Sequence, residues 1–326
     1  MVVYRLGVIL DVGADKVMKN VSIVVPFYNE ADSLPAFLEA VTEVTERQVN
    51  YSFEFVFVND GSQDDGVEIL KELRNTYPNV TIVDLSRNFG KEVAMLAGLD
   101  NSQGDAVIIM DSDLQHPPAT IPDFIAYWEK GYYDVYAVRK EREGESWLKV
   151  KTSELYYKVL QSLSSTEVYP NAGDFRLLDR RVVDALVQTR ESERYMKGLY
   201  GWVGFKKKEI YYDAAERVGG ETKFNFGKLW RLALNGVTSF TTAPLTISIY
   251  IGLIVATFGI LYGLYTLATA LLGATSVPGF PSLMVAILIL GGFQLFVIGL
   301  IGLYLSKVFI ETKRRPVYFV NEIIRD

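Results

Sequence analysis

The stretch Ala106-Val107-Ile108-Ile109-Met110-Asp111-Ser112-Asp113-Leu114-Gln115-His116-Pro117-Pro118 decides the fold and carries the clearest candidate site. Its apolar first part is short, rich in β-branched residues and followed at once by acids, which predicts a buried strand of a parallel sheet. Ligands of open α/β sheets bind beyond the carboxyl ends of the strands. Asp111, Asp113 and Gln115 offer the oxygen ligands that Mg²⁺ and Mn²⁺ take. A lone Asp-x-Asp more often caps a turn, so the assignment of a metal site depends on the rest of the sequence.

Composition excludes several classes of site. The chain has 326 residues, no cysteine, one histidine and a formal net charge of −6. Its length allows two modest domains, or one domain with an appendage. Without cysteine there is no disulfide framework, no thiolate catalysis and no cysteine-bound zinc, and a single histidine excludes a multi-histidine metal centre. The negative charge argues against nucleic acid as a partner.

Apolar runs alternate with helical patterns from Val21 to Val138, which predicts an α/β fold with a mostly parallel, doubly wound sheet. Strands are predicted at 21–26, 53–58, 80–85, 106–110 and 133–138, and helices at 33–46, 64–77, 92–101 and 119–130. Polar clusters follow three of the strands, at 28–30, 60–62 and 111–115. Parallel strands end at one edge of a sheet, so these clusters are expected to line one cleft.

The chain after Val138 predicts a short strand at 173–178 with Asp174 at its start, helices at 182–186 and 196–202, and an edge strand at 206–212. A loop with Arg217 and Lys223 contains glycines that let the backbone approach a phosphate closely, a weak signal by itself. The segments 147–163 and 226–240 are amphipathic. The apolar stripe of the first fits a core helix or a helix on a membrane surface equally well.

No Asp, Glu, Lys or Arg occurs between Arg231 and Lys307. The apolar stretches 245–272 and 282–305 each exceed the ~20 residues that a helix needs to cross a bilayer. Basic residues flank the pair on both outer sides and are missing from the loop between them, so both flanks are expected in the cytoplasm. Two buried helices of a soluble core are the alternative, and so long a stretch without charge disfavours it.

Several motifs occur together in one order: 24–30 (VVPFYNE), 59–62 (NDGS), 86–91 (SRNFGK), 111–118 (DSDLQHPP), 173–175 (GDF) and 220–223 (GETK). In this order they resemble the inverting GT-A glycosyltransferases of family 2. They are most similar to the polyisoprenyl-phosphate glycosyltransferases, which include dolichol-phosphate mannose synthases and bacterial bactoprenol glucosyltransferases of the GtrB type. The resemblance runs from Val21 to about Phe319. The Gln-x-x-Arg-Trp motif of processive polysaccharide synthases is absent from the sequence.

The resemblance implies a GT-A domain with amphipathic interfacial helices and a two-helix transmembrane hairpin. It implies transfer of a hexose, glucose from UDP-glucose, to a polyprenyl phosphate on the cytoplasmic side of a bacterial inner membrane. On this basis the chain divides into an N-terminal arm (1–20), the GT-A domain (21–224), an interfacial helix (225–243), two transmembrane helices (244–306) and a basic cytoplasmic tail (307–326). A homo-oligomer is compatible with this arrangement.

Residue by residue, the resemblance assigns nucleotide binding to Pro26, Tyr28, Glu30, Asp60 and Lys91. It assigns the Mg²⁺ or Mn²⁺ and the diphosphate to Asp111, Asp113 and Gln115, with Lys223 as a further catalytic residue. Asp174 matches a candidate base position, and we expect it to orient the sugar or the acceptor instead. Arg139 and Arg217 are expected to bind the acceptor phosphate.

Three alternatives remain at this level. One is a mannosyltransferase that uses GDP-mannose and a polyprenyl or dolichyl phosphate. Another is a membrane-anchored module that binds a nucleotide sugar without transferring it, which the complete set of Asp111, Asp113 and Gln115 disfavours. The last is a two-helix subunit of a lipid flippase, which the uncharged spans and the short loop disfavour.

Overall fold

The computed structural model describes residues 18–140, 172–192, 194–213, 243–272 and 279–325. Most of the N-terminal arm, the amphipathic segments 147–163 and 226–240, and the loop with Arg217 and Lys223 lie outside the described residues.

A single eight-stranded sheet forms the centre of the domain, with its strands in the order β7-β5-β6-β4-β1-β2-β3-β8. The strands are β1 (Lys19–Phe27), β2 (Tyr51–Asn59), β3 (Val80–Leu85), β4 (Ala106–Ile109), β5 (Asp134–Arg139), β6 (Ala172–Asp179), β7 (Lys207–Tyr212) and β8 (Val320–Ile324). The helices are α1 (Leu34–Glu46), α2 (Gly66–Leu73), α3 (Lys91–Asn101), α4 (Ile121–Glu129), α5 (Arg180–Gln188), α6 (Met196–Trp202), α7 (Ala243–Leu271) and α8 (Phe280–Thr312).

Most neighbouring strands are parallel, which confirms the predicted class of sheet. The exceptions are β6, which is antiparallel to both β4 and β5, and β8, which is antiparallel to β3. Because β6 runs against its neighbours, its first residues lie at the edge where β4 and β5 end. Ile109 of β4 pairs with Arg176, and Val138 of β5 pairs with Ala172.

The central strands β1 and β4 are buried on both faces of the sheet, which explains their nearly continuous apolar runs. Ile23 and Ile108 face the layer that contains α1 and α4. Val24 and Ile109 face the opposite layer, which contains α3, α5 and α6. Helix α3 lies so close to β1 that a Cβ on Gly98 would lie 2.2 Å from Cγ1 of Val24.

Two predicted helices have different limits in the structure. The helix predicted at 64–77 spans only Gly66–Leu73. Its end is followed by turns before Pro78, which disfavours helical geometry in the residue before it. The helix predicted at 119–130 begins as a 3-10 turn, Pro118–Thr120, and continues as α4.

Helices α7 and α8 are long and apolar enough to cross a membrane, over Leu245–Tyr265 and Val285–Thr312. Their apolar side chains are exposed: Phe258 keeps 69% and Leu295 72% of its accessible surface. Helix α8 continues through Thr312, past the predicted end at 305, because nothing in 306–312 breaks a helix.

The C-terminal residues 307–326, which the sequence predicts as a basic tail, also contain a strand of the sheet. Val320–Ile324 forms β8, and Glu322 pairs with Asp84 of β3. The side chain of Asn321 donates to Asp84 at 2.8 Å, and Tyr318 Oη donates to Asp100 at 2.6 Å. A strand of five residues behind a charged run has no recognisable local pattern, so only its pairing with β3 reveals it.

Candidate active site

The candidate site lies at the carboxyl ends of β1 and β4, where the strand order reverses. Strand β1 pairs with β2 on one side and β4 on the other, so the crossovers to the two neighbours leave in opposite directions and open a crevice. A hydrogen bond crosses this crevice, from the hydroxyl of Ser112 to the carboxylate of Glu30. Burial raises the pKa of Glu30, Asp111 and Asp113 raise it further, and the hydrogen bond from Ser112 opposes the change.

The loop after β4 holds the two acids in defined positions. Asp113 Oδ1 accepts the main-chain hydrogen of Gln115 at 3.1 Å, and Leu114 between them has a φ of +58°. A non-glycine residue with left-handed φ is held there by its surroundings and is typical of functional sites. The structure places Asp111, Asp113 and Gln115 just after β4, as the sequence indicates, but the conformation of the backbone between them had no sequence signal.

Lys91, at the start of α3, connects the loop to β6. Its Nζ lies 2.5 Å from Oδ1 of Asp111 and 3.6 Å from Oδ2 of Asp174. Burial by itself would lower the pKa of Lys91, but the two carboxylates outweigh it and raise the pKa. Burial conversely favours the neutral form of Asp111, and Lys91 outweighs this, so the pKa of Asp111 is lowered. Both groups are therefore charged at neutral pH.

Asp174 lies at the start of β6, where the buried Arg176 supports it. The guanidinium of Arg176 donates to the carbonyl of Gly173 at 2.8 Å and forms an ion pair with Asp134 at 3.0 Å. Oδ1 of Asp174 is buried and has no hydrogen-bond partner among the described residues. Because buried polar atoms are almost always paired, this oxygen is suited to a substrate hydroxyl.

Glu92 is a partly buried acid of the site that sequence reasoning missed. Its carboxylate accepts the main-chain hydrogen of Met196, the first residue of α6, at 2.7 Å. Burial raises the pKa of Glu92 to about 7, and Asp174 contributes to the rise. An acid in the first turn of helix α3 was the only available signal, and it is also the usual composition of a helix start.

Asp60 holds the backbone that leads into helix α3. Its carboxylate accepts the main-chain hydrogens of Phe89 at 2.7 Å and Gly90 at 2.9 Å, and the residue is only 3% exposed. It therefore fixes the loop that leads to Lys91. Gly61 follows with a φ of +68°, and a Cβ there would lie 2.4 Å from the backbone of Asn88.

Two other predicted nucleotide-binding residues differ in exposure. Pro26 is buried in β1, opposite Val58 of β2. Tyr28 lies just beyond the strand and is 45% exposed. The loop that carries it is tied to the next one, because Asn29 accepts the main-chain hydrogen of Gln63 at 2.8 Å.

Arg139 ends β5 at the same edge of the sheet and is partly buried. Burial raises the pKa of Tyr212, the last residue of β7, and the charge of Arg139 opposes this. The structure thus places Arg139 beside the cleft, together with Glu30, Lys91, Asp111, Asp113, Gln115 and Asp174. Arg217 and Lys223 lie outside the described residues.

The residues of the loop fit a small divalent cation that also binds a diphosphate. Among the described residues no three acidic, histidine or cysteine side chains are arranged to hold a metal ion by themselves. Mg²⁺ is usually bound by only one or two carboxylates, with water and substrate phosphates in the other positions. Asp111 and Asp113 provide such a pair. The ion pair between the Lys91 ammonium group and Asp111 shows that this carboxylate can bind a positive charge.

Known proteins are similar in sequence to this chain over most of its length. The model of glycosyl transferase family 2 matches residues 22–187. A prophage bactoprenol glucosyl transferase homologue of Escherichia coli is 44% identical over 93% of this chain and 99% of its own length. The bactoprenol glucosyl transferase of Shigella phage SfV is 44% identical over 93% and 98%.

A glycosyltransferase of Synechocystis is 43% identical over 93% of this chain and 95% of its own length. Among solved structures, a mannosyltransferase from Pyrobaculum calidifontis in complex with GDP-Man and Mn²⁺ covers 93% of this chain and 90% of its own, with a TM-score of 0.47 and 16% identity. A similarity this distant supports no statement about substrate or metal. The match to the family model and the identity to relatives along nearly the whole chain show that this protein is a glycosyltransferase of family 2.

Proposed function

We propose that this glycosyltransferase moves a hexose, glucose from UDP-glucose, onto the phosphate of a polyprenyl lipid at the cytoplasmic face of a bacterial inner membrane. The observation that carries the proposal is the pair Asp111 and Asp113 beside Lys91 at the switch point of the sheet. The candidate membrane helices α7 and α8 and the 44% identity to bactoprenol glucosyl transferases support the lipid acceptor.

The donor end of the reaction needs charge stabilisation, because a diphosphate leaves the anomeric carbon. Asp111, Asp113 and Gln115 are the residues that would hold Mg²⁺ or Mn²⁺ there. Such a cation, when bound, stabilises negative charge on the departing diphosphate. The ammonium group of Lys91 provides a further positive charge within the same cleft. We assign the same role to Lys223.

The acceptor end needs little help from a base. A phosphate monoester has a second pKa of about 6, so a lipid phosphate is largely dianionic at neutral pH and is already a nucleophile. Asp174 would then orient a sugar hydroxyl or the acceptor through Oδ1, which has no hydrogen-bond partner among the described residues. Arg139, at the rim of the cleft, and Arg217 are suited to bind the acceptor phosphate, because arginine can donate two parallel hydrogen bonds to it.

We also propose that α7 and α8 form a transmembrane hairpin with both ends in the cytoplasm. Lys307, Lys313, Arg314 and Arg315 follow the apolar part of α8, and the segment between the helices has no basic residue. A reporter fused at Gly279 should score as periplasmic, and a cytoplasmic signal would contradict this orientation.

A transfer assay tests the proposed reaction. The purified full-length protein in detergent is incubated with a polyprenyl phosphate and, separately, radiolabelled UDP-glucose, UDP-galactose, UDP-N-acetylglucosamine and GDP-mannose. Label should enter the lipid fraction from UDP-glucose, and Asp111→Asn should abolish it. If label is transferred only from GDP-mannose, the donor is GDP-mannose and not UDP-glucose. Tight nucleotide-sugar binding without transfer to any lipid would favour the binding module instead.

A further inference from the structure

Lys91 forms an ion pair with Asp111, a residue that would also bind the metal ion. Its Nζ lies 2.5 Å from Oδ1 of Asp111, within direct ion-pair distance, and 3.6 Å from Asp174. The start of its helix is held in place, because Asp60 accepts the main-chain hydrogens of Phe89 and Gly90. The position of the Lys91 backbone is therefore built into the fold, while its side chain keeps 46% of its accessible surface.

We propose that Lys91 makes the binding of the divalent cation and of the nucleotide diphosphate depend on each other. In this proposal its ammonium group competes with the cation for Asp111, and turns to the diphosphate when nucleotide and cation bind together. The inference rests on the proposed metal site and adds to it the residue that sets the order and cooperativity of binding.

The charges of the site support this competition. Asp111 and Asp113 contribute two negative charges, and Lys91 cancels one of them at the very oxygen atom that a cation would share. A divalent cation that binds without nucleotide therefore encounters a pair of carboxylates with only one net negative charge, next to the positive charge of Lys91. An incoming diphosphate supplies new acceptors for the ammonium group, which releases Asp111 to the metal ion.

The side chain of Lys91 suits such a change of partner. Lysine is a point charge on a flexible four-carbon stem, and it binds phosphate without a fixed geometry. Because the side chain is about half exposed, it can turn without opening the core. A purely structural lysine would be expected to keep its carboxylate partners whether or not nucleotide is bound.

A second lysine provides a matched control. Lys197 also lowers the pKa of Asp111, but within the described part of the chain it forms no ion pair with that residue. If the general positive potential of the site controlled metal binding, removing either lysine would have a similar effect. If direct competition for Asp111 controls it, only removal of Lys91 will have a large effect.

The test measures Mn²⁺ binding directly by the electron paramagnetic resonance signal of free Mn²⁺, on the full-length protein in detergent. Wild type, Lys91→Met, Lys197→Met and Asp111→Asn are titrated alone, with UDP and with GDP. In wild type, one nucleotide should tighten Mn²⁺ binding by about tenfold or more, the usual effect of a charge-assisted contact. By reciprocity, Mn²⁺ should tighten binding of that nucleotide by the same factor.

Lys91→Met should change the two affinities in opposite directions. Mn²⁺ alone should bind about tenfold more tightly than to wild type, while the nucleotide should bind more weakly and its effect on Mn²⁺ should largely disappear. Misfolding cannot produce this pattern, because it would weaken both. Lys197→Met should retain the coupling, and Asp111→Asn should lose Mn²⁺ binding.

Two outcomes would overturn the inference while leaving the proposed function intact. One is an affinity for Mn²⁺ alone that Lys91→Met leaves unchanged or lowers, and the other is a similar effect in Lys197→Met. Wild type that binds no Mn²⁺ even with UDP or GDP would instead remove the proposed metal site, and the inference with it.

Discussion

Nδ1 of His116 accepts the main-chain hydrogen of Asp111 at 3.2 Å, so the only histidine of the chain holds the first acid of the site. The imidazole stacks on the ring of Phe175, with centroids 4.6 Å apart, and meets the edge of Tyr212. Burial lowers the pKa of His116, and the neighbouring carboxylates only partly offset this. A ring that accepts at Nδ1 carries its proton on Nε2 when neutral.

Replacement of His116 should therefore impair the reaction through the position of Asp111. His116→Ala removes the acceptor and the stacked ring, and should lower kcat about tenfold, as expected for the loss of one buried hydrogen bond and its packing. His116→Asn places an amide oxygen near the position of Nδ1 and should recover part of the loss. Steady-state kinetics would measure both variants, and full activity of His116→Ala would show that the loop holds Asp111 without the ring.

Removal of the divalent cation should stop transfer. EDTA should abolish activity, and Mg²⁺ or Mn²⁺ should restore it, because Asp111 and Asp113 would otherwise face the diphosphate as like charges. Asp113→Ala should be inactive at any concentration of metal. The assay is incorporation of labelled sugar into lipid, with Asp123→Ala, an acid in the first turn of α4, as the control. Full activity in EDTA would contradict the metal requirement.

Glu92 predicts a pH-dependent change in stability. Its pKa is raised in the folded protein to about 7, so the folded state binds more protons than the unfolded state between the ordinary pKa and about pH 7. The contribution of Glu92 to stability therefore falls as the pH rises through this window. Glu92→Gln keeps an acceptor for Met196 and removes the charge.

At about pH 8, Glu92→Gln should therefore be more stable than wild type by about 1–3 kcal/mol in the free energy of unfolding, and should melt at a higher temperature. At about pH 4.5 the two proteins should have similar stability. Thermal unfolding in detergent at several pH values would measure it. A difference that does not change with pH would show that the effect arises from packing and not from the charge.

Arg139→Ala should weaken the use of the lipid acceptor. If Arg139 binds the acceptor phosphate, the KM for polyprenyl phosphate should rise about tenfold or more, while the KM for the nucleotide sugar stays nearly constant. Kinetics with both substrates varied would separate the two. Lys140→Ala, which removes a neighbouring surface charge paired with Asp213, is the control and should change neither constant. Unchanged lipid dependence in Arg139→Ala would remove this residue from the acceptor site.

The C-terminal strand should contribute to the stability of the domain. A chain that ends after Arg315 lacks β8 and the hydrogen bond from Tyr318 to Asp100. It exposes the edge of β3 and should unfold at a clearly lower temperature. Tyr318→Phe removes the hydroxyl, which interacts with Asp100 and Arg190, and should cost about 1 kcal/mol or more. An unchanged melting temperature after truncation would show that the strand adds nothing to the sheet.

The sequence by itself determined the parallel part of the sheet and the acids at its edge. Apolar runs such as Val21–Val25 and Ala106–Met110 are local signals, because a strand buried on both faces needs apolar residues on both. The acids that follow can be located without any long-range information, since parallel strands present their carboxyl ends at one edge. The apolar helices near the C-terminus were equally evident, because their pattern is one of composition.

Only the tertiary structure decided which polar groups meet and which are already occupied. The antiparallel entry of β6 between β4 and β5 brings Asp174 within reach of Lys91, and no local pattern records that choice of neighbour. Asp60 and Glu92 are both acids near strand or helix ends, yet each is committed to main-chain hydrogens from another part of the chain. Such partners depend on long-range packing, because a hydrogen bond is made by whatever the fold places within about 3 Å, however far apart the two residues are in sequence.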